Sequence, residues 1–451
     1  MLTLLAAIGF TLLSRKEDGE ETDDYDEERR STPGSGGGRP VNPVIYIKPH
    51  QTTSQAPPSQ TTTQIVCTTS NCEQSRLFPE DSLCDFVFCV SLHIVYPTNK
   101  FGVQEQNQVS RQPFFDRAQT ATSTRYGMSI DLSNAKILSR ALATQEGIED
   151  YESYWGVKVF DWGFLTISEF EAYRLTQEIV DAMKVLKKMH RHGSSKSGQA
   201  VYTFLGIYFK MDLCEMVAHH IRTTFIPTGI ISLGHISYLD RNRSDCIIMP
   251  PTNLKDPRVY SPRVDYGHSV SDAVAATNCL WNHGVRTAFS VSVTMQGRWY
   301  TTRSAGNVPR GQGQQYFYKN CSSYTVYEQT GSIQEMCDDQ SLGYARNQAY
   351  DNTNKAVISY DEIYGFAITF DNEQSLQFKV CDALKNTQRQ LGVAVYDVNY
   401  DANTTQCDER WIKGSWERLR FLYRLQNSLN DAYLPQTKTS TAFRSRDNER
   451  K

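Results

Sequence analysis

No excess of charge marks this chain. Over 451 residues the formal net charge is −3. There is no basic stripe with interleaved aromatic residues, so the composition gives no nucleic-acid-binding surface. The chain opens on an apolar segment, Leu2–Leu13. It is too short to cross a bilayer, which takes about 20 residues. It also lacks the basic start and the small-residue cleavage site of a usual signal peptide. Ser14-Arg15-Lys16 follows it, as at the flank of a membrane anchor. Residues 1–16 are read as a signal peptide or an N-terminal membrane anchor. The sequence has no Gly-x-Ser-x-Gly elbow for a serine hydrolase. Gly311-Gln-Gly313 lacks the third glycine and the strand-to-helix context of a phosphate loop. No cofactor is implied.

Cysteine, by contrast, is abundant, with 11 in the chain. Cytosolic thiols are kept reduced, so a cysteine-rich chain reads as exported and disulfide-bonded. Three N-glycosylation triplets, at Asn242, Asn320 and Asn403, point the same way. The expectation is a secreted protein or one on the extracellular face of a membrane. An odd cysteine count leaves at least one thiol free or paired between molecules. The spacing Cys67-x4-Cys72 and Cys84-x4-Cys89 also admits a zinc site, although no histidine stands nearby except His93 in a strand pattern.

Three textures follow one another along the chain. Residues 17–64 form an acidic and then Thr/Pro-rich stalk, from the charge block at Glu17–Arg30 to the polar tract at Thr52–Thr63. Neither can bury enough apolar surface to fold alone. From Ile65 onward, short apolar runs alternate with amphipathic stretches. The runs are Phe86–Val95, Val157–Phe160, Val201–Phe209, Gly229–Ile236, Thr287–Val293 and Leu391–Val395. Continuous apolar runs suit strands covered on both faces, as in a parallel sheet. The amphipathic stretches are Ser168–Met189, Ser375–Gln390 and Trp416–Leu429. This alternation predicts an α/β fold, a (β/α)8 TIM barrel over residues 65–430. Residues 298–390 break the rhythm with aromatic, Gly- and Asn-rich pieces and predict a small α+β insertion before the last strand. Residues 431–451 are assigned to a disordered tail.

Several pieces, in order, resemble the family 18 glycoside hydrolases, the chitinases and chitinase-like lectins. Ile65-Val-Cys67 resembles the family's first strand, and Leu83–Phe88 its second. Met128-Ser-Ile130 stands where the third would be, and Val159–Leu165 where the catalytic fourth would be. Gln296-Gly297-Arg298 resembles the Tyr-Gly-Arg after the seventh strand. Ile333–Cys337 and Phe370-Asp371…Ser375…Lys379 resemble segments of the insertion domain. Leu391–Cys407 resembles the eighth strand and its Asp-rich exit. The resemblance implies two disulfides, Cys67–Cys84 and Cys337–Cys407.

Active members of that family hydrolyse β-1,4-linked N-acetylglucosamine with the substrate's own acetamido oxygen as nucleophile. The enzyme supplies a general acid, the Glu of an Asp-x-x-Asp-x-Asp-x-Glu run. Laid on this sequence, the run becomes Gly156, Val159, Asp161 and Gly163. Asp161 remains, and glycine stands where the acid belongs. This alignment requires Gly163 at the strand's C-terminal mouth, with Asp161 pointing inward. The sixth-strand Tyr-Asp is missing, with His235, Tyr238 and Asp240 nearby at other spacings. Tyr396 replaces the floor Trp.

The resemblance therefore implies a catalytically inactive chitinase-like protein that binds a chitin-type oligosaccharide or an extracellular protein. Trp162, Tyr238, Trp299 and Tyr396 are the candidate ligand contacts, although each also suits a core. The alternative is a divergent active chitinase with a displaced acid, for which Glu169 and Glu171 lie near the strand exit. His219-His220 sits in a helical pattern and is read as one core and one surface histidine rather than a metal pair. No metal site is assigned.

Overall fold

A computed structural model describes residues 64–92, 111–165, 172–235, 246–259, 268–301, 317–322, 330–338, 343–344, 347–361, 363, 365–387, 389–402 and 415–444. The N-terminal leader and stalk, Glu169, Glu171, Tyr238, Asp240, Asn242, Gly311–Gly313, Asn403 and Cys407 lie outside the described residues.

Seven strands come first: β1 (Ile65–Thr69), β2 (Phe86–Leu92), β3 (Arg125–Ile130), β4 (Val159–Phe164), β5 (Thr203–Ile207), β6 (Gly229–Ser232) and β7 (Ala288–Thr294). A second sheet follows: β8 (Gly297–Thr301), β9 (Thr330–Gly331), β10 (Gln348–Asp351), β11 (Ala356–Tyr360) and β12 (Phe366–Phe370). The last strand is β13 (Gly392–Tyr396). β1 to β7 and β13 pair in parallel and close on themselves in the order β1-β13-β7-β6-β5-β4-β3-β2. This is the (β/α)8 barrel that the alternating texture predicts. β8 to β12 form a separate antiparallel sheet, in the order β10-β11-β12-β8-β9.

The helices follow the strands: α1 (Gln112–Thr120), α2 (Ala135–Ala141), α3 (Gln145–Ser153), α4 (Ala172–Lys196), α5 (Cys214–Thr224), α6 (Val270–Asn282), α7 (Glu335–Asp338), α8 (Glu373–Lys385) and α9 (Glu417–Arg444). Side-chain caps fix several starts. Thr144 accepts from Gly147 N–H, Ser269 from Asp272 N–H and Asn372 from Ser375 N–H, each cap worth about 1 kcal/mol.

Two boundaries differ from the sequence reading. The insertion's sheet ends at Phe370, and α8 belongs to the barrel's outer ring. Its Leu376, Val380 and Ala383 are buried in the main core. The amphipathic pattern of 375–390 is thus a barrel helix, not part of an insertion reaching 390. At the far end, α9 runs on to Arg444, through most of the segment assigned to a tail. Helix extension adds one hydrogen bond per residue once a packed turn exists, so weak amphipathicity does not end it.

Arg418 ties the barrel to the insertion. Its guanidinium donates to Asp401 Oδ1 at 2.8 Å, Met295 O at 2.9 Å and Asp371 O at 3.1 Å. These acceptors follow β13, β7 and β12 respectively. Asp371 is in turn ion-paired to Lys379 of α8, with both side chains fully buried.

Candidate functional site

In a parallel barrel the side chains alternate between the axis and the helix ring. On β4 the assignment is direct. Trp162 points outward: its ring lies 5.5 Å from that of Tyr151 on α3 and 5.1 Å from that of Tyr154. Asp161, Gly163 and Leu165 therefore face the axis. Contacts between non-adjacent strands locate the interior independently. Phe204 of β5 meets Phe86 and Phe88 of β2 at ring distances of 4.9 and 5.3 Å. Tyr396 of β13 donates across the barrel to Leu165 O at 2.9 Å.

Asp161 lies at the base of the barrel, level with strand starts. Its carboxylate accepts from Arg125 Nε at 2.8 Å, Arg125 Nη2 at 2.9 Å and Tyr202 N–H at 2.9 Å. Arg125 opens β3, and Tyr202 immediately precedes β5. The guanidinium also donates to Ala200 O and lies over the Tyr202 ring. Burial pushes the Asp161 carboxyl up from its ordinary range, and the Arg125 bonds and charge pull against that.

Gly163 occupies the next layer, paired with Ser129 and Phe204. The inward residue at the C-terminal mouth is Leu165, which is fully buried. Its N–H donates to Ser129 Oγ at 2.9 Å. The expectation that Gly163 stands at the mouth is thus displaced by two residues. The cause lies in barrel geometry: β4 continues to Phe164, one residue beyond the glycine, and the inward position past its end belongs to Leu165.

Around Leu165 the mouth is filled by side chains. The His235 ring packs 4.4 Å from that of Tyr396. His235 Nδ1 is 2.7 Å from Ser292 Oγ, which also accepts from Gly234 N–H. His235 Nε2 is buried without a hydrogen-bond partner. Burial and the nearby His268 and Arg298 charges depress the imidazole to about 3. It is neutral at ordinary pH. The Tyr396 phenol is pushed up by burial and by the charge of Asp397.

Asp397 follows directly, half-buried, with a left-handed backbone at φ 54°. Its N–H donates to Thr68 Oγ1 at 3.1 Å. Burial, opposed by a Ser70 hydrogen bond, pushes its carboxyl up to about 6. Sequence reading passed over Asp397 and Ser292. Asp397 was lost within an Asp-rich exit. Ser292 lies 57 positions from the histidine it meets.

The three described aromatic candidates do not converge. Trp162 is buried in the helix layer, and Tyr396 spans the barrel interior. Trp299 lies half-buried in the second sheet, donating to Glu335 Oε2 at 2.8 Å and packing on Tyr344. Tyr238 is outside the described residues. Of the glycosylation triplets, Asn320 is described and exposed.

Cys67–Cys84 and Cys72–Cys89 are disulfides, so these sulfurs offer no thiolates to zinc. Cys214–Cys279 and Cys246–Cys321 are two further pairs. His219 is exposed and His220 half-buried.

No protein-family model matches the sequence, and no curated protein is similar enough in sequence to count as a relative. Similarity of structure is extensive. A class V chitinase from Nicotiana tobaccum, a point mutant in complex with NAG4, aligns with a TM-score of 0.55 at 14% identity, over 80% of this chain and 98% of that one. The immunomodulatory active chitinase TsES1 from Trichuris suis aligns at 0.57 and 14%, over 80% and 99%. A chitinase-like agglutinin from Robinia pseudoacacia aligns at 0.54 and 13%, over 80% and 99%. The chain has the fold of the family 18 chitinases and chitinase-like proteins.

Proposed function

We propose that this protein is an exported, non-hydrolytic chitinase-like protein that acts by recognition. One observation carries the reading: the side chains that β4 directs to the axis are Asp161, Gly163 and Leu165. The side-chain directions favour a register two residues on from the sequence comparison. Leu165 then takes the place of the acid, Gly163 that of the Asp before it, and Asp161 that of the deepest Asp. In either register the acid's place holds a residue that cannot donate a proton. Losing a positioned general acid typically costs about 10²–10⁴ in rate. Asp161 is committed to Arg125 at the far end of the barrel. Four disulfides support an extracellular setting.

A chitin-type oligosaccharide at the C-terminal mouth is the first ligand to test, since barrel loops at that face carry binding sites. The filling of the mouth by Leu165, His235 and Tyr396 favours a ligand held by surrounding loops, or an extracellular protein. The test uses the full-length secreted chain, assayed for turnover of fluorogenic chitobiose and chitotriose and for retention on chitin beads. Retention without turnover is the expected result. Turnover abolished by Asp161→Asn would overturn the non-hydrolytic reading. No retention on chitin would move the ligand to a protein.

A second reading, hydrolysis by a displaced acid, draws support from Asp397. It is a half-buried carboxyl at the end of a barrel strand, poised near pH 6, as a general acid needs to be. Turnover that survives Asp161→Asn and vanishes in Asp397→Asn is the result this reading requires.

A further inference from the structure

The second half of α4 concentrates positive charge in a chain that is otherwise slightly acidic. From Lys184 to Lys196 it carries Lys184, Lys187, Lys188, Arg191 and Lys196, and no Asp or Glu. The apolar positions of the same stretch, among them Val185, Leu186 and Met189, are buried against the barrel. The cations are thus left on the outer face. Lys184, Lys188 and Arg191 are exposed. At about 1.5 Å rise per residue they form a row roughly 10 Å long parallel to the helix axis.

Lys187 and Lys188 spread sideways. Lys187 Nζ donates to Thr224 O at 3.0 Å, and Lys188 Nζ donates to Leu142 O. Each thus reaches the C-terminal end of a neighbouring helix, α5 or α2, and keeps further N–H groups to donate. The result is a groove of about 430 Å³ lined by Lys184, Lys187, Lys188, Arg191, His192 and Ser195. Asp181 stands 3.4 Å from Lys184, and Glu152 is 2.6 Å from His192. Among the described residues, Lys187, Lys188 and Arg191 have no carboxylate within ion-pair distance.

The plain account of such a row is the helix dipole, which favours cations in the last turn. That covers Lys196. It does not reach Lys184, Lys187 and Lys188, which stand two or more turns from the end, nor does it explain a groove.

We infer that this groove binds a linear sulfated polysaccharide. The lining chemistry selects the class. The one ring in the lining, His192, already lies on Trp155 and is held by Glu152, so no aromatic platform is left free for a base as in single-strand nucleic-acid channels. The groove has no apolar side chain to enter a bilayer, unlike membrane-binding helices. The four disulfides point to an oxidising compartment, where sulfated polysaccharides are the abundant linear polyanions. α4 runs back toward the start of β5, so the groove lies at the end of the barrel opposite the mouth. Binding there is independent of any ligand at Leu165 and Tyr396.

The experiment measures binding of the full-length protein to a fluorescent heparin dodecasaccharide at about 0.15 M salt, where surface charges are screened beyond about 8 Å. The triple variant K184Q/K188Q/R191Q is compared with K136Q/K255Q/K319Q, which removes equal charge from exposed positions elsewhere. The expected result is a loss of about tenfold or more in the α4 variant, little change in the control, and steep weakening with salt from lost counterion release. If the triple variant is unstable, K184Q/R191Q serves, since neither side chain holds a helix-end carbonyl. Equal losses in both triples, or no binding by the unmodified protein, would overturn the assignment. Equally tight capture of a DNA duplex would overturn the choice of sulfated polysaccharide.

Discussion

Arg125 and Asp161 form a two-pronged ion pair across the base of the barrel, with Nε–Oδ2 at 2.8 Å and Nη2–Oδ1 at 2.9 Å. The two partners are unequally buried. The carboxylate is 1% exposed and the guanidinium 33%. Removing Arg125 leaves a buried carboxylate without its counter-charge, a change that typically costs about 3–5 kcal/mol. Removing the Asp161 charge leaves a guanidinium that can turn to water. Asn at 161 still accepts from Tyr202 N–H, so that loss is about 1–2 kcal/mol. Arg125→Met should therefore lower the urea midpoint clearly more than Asp161→Asn. The reverse order would mean that Asp161 has a role other than closing the barrel's base.

Gly127 and Gly163 stand on adjacent strands and differ in what surrounds them. A Cβ on Gly127 would lie 2.4 Å from Phe88 Cε1 and 2.7 Å from the backbone oxygen of Asp161. The backbone cannot move aside cheaply, so Gly127→Ala should cost about 1–3 kcal/mol or more by overpacking. A Cβ on Gly163 would meet Leu165 Cγ and Phe204 O at 3.1 Å, a contact that a small shift relieves. Gly163→Ala should cost less than about 1 kcal/mol. Thermal unfolding of the two variants side by side tests this. If Gly163→Ala proves the worse, close packing rather than lost chemistry explains the glycine on β4.

The barrel was legible in the sequence because parallel strands are buried on both faces and read as unbroken apolar runs. Val201–Phe209, Thr287–Val293 and Leu391–Val395 each contain most or all of a barrel strand. β3 shows less clearly, since Arg125 and Gly127 interrupt its run. The position of each β4 residue along the axis was not legible. It depends on where neighbouring strands begin, which no local pattern records. Ser292 and His235 meet only because β6 and β7 are neighbours in the closed sheet. The pairing of Cys214 with Cys279 likewise needs α5 beside α6.

His235 and His268 give the fold a definite acid sensitivity. Both are buried, and both imidazoles are depressed to about 3, against about 6.5 in an unfolded chain. Below about pH 6.5 the unfolded state takes up protons that the folded state refuses. The stability contributed is thus present above that pH and lost as pH falls toward 3, at up to about 1.4 kcal/mol per pH unit for each histidine. His235→Gln removes one such term. Between about pH 6 and 4, its stability should fall less steeply than that of the unmodified chain, by about 1.4 kcal/mol per unit. Asp397 has the opposite sign. Its carboxyl is raised to about 6, so the stability it contributes is lost as pH rises through that value. Asp397→Asn should gain on the unmodified chain as pH rises from about 4 to 6 and keep that margin above it. Urea midpoints at a series of pH values separate the two, and parallel curves for all three proteins would refute both assignments.

The remaining thiols bear on the link between barrel and insertion. Four disulfides account for eight of the 11 cysteines, and Cys381 on α8 is free. Cys337 and Cys407 are left. The first belongs to the short helix α7 of the insertion, and the second follows the exit from β13 in sequence. A bond between them would close a loop of about 70 residues, worth about 4 kcal/mol in the chain-entropy account. It would reinforce the join that Arg418 makes through Met295, Asp371 and Asp401. Alkylation of the denatured, unreduced protein followed by peptide mapping should then label Cys381 alone. Label on Cys337 and Cys407 as well would show that Arg418 and the Asp371–Lys379 pair hold that join without a covalent tie. In that case Arg418→Met should loosen the insertion from the barrel, seen as faster amide exchange in β8 and β12 while β2 to β5 keep their protection.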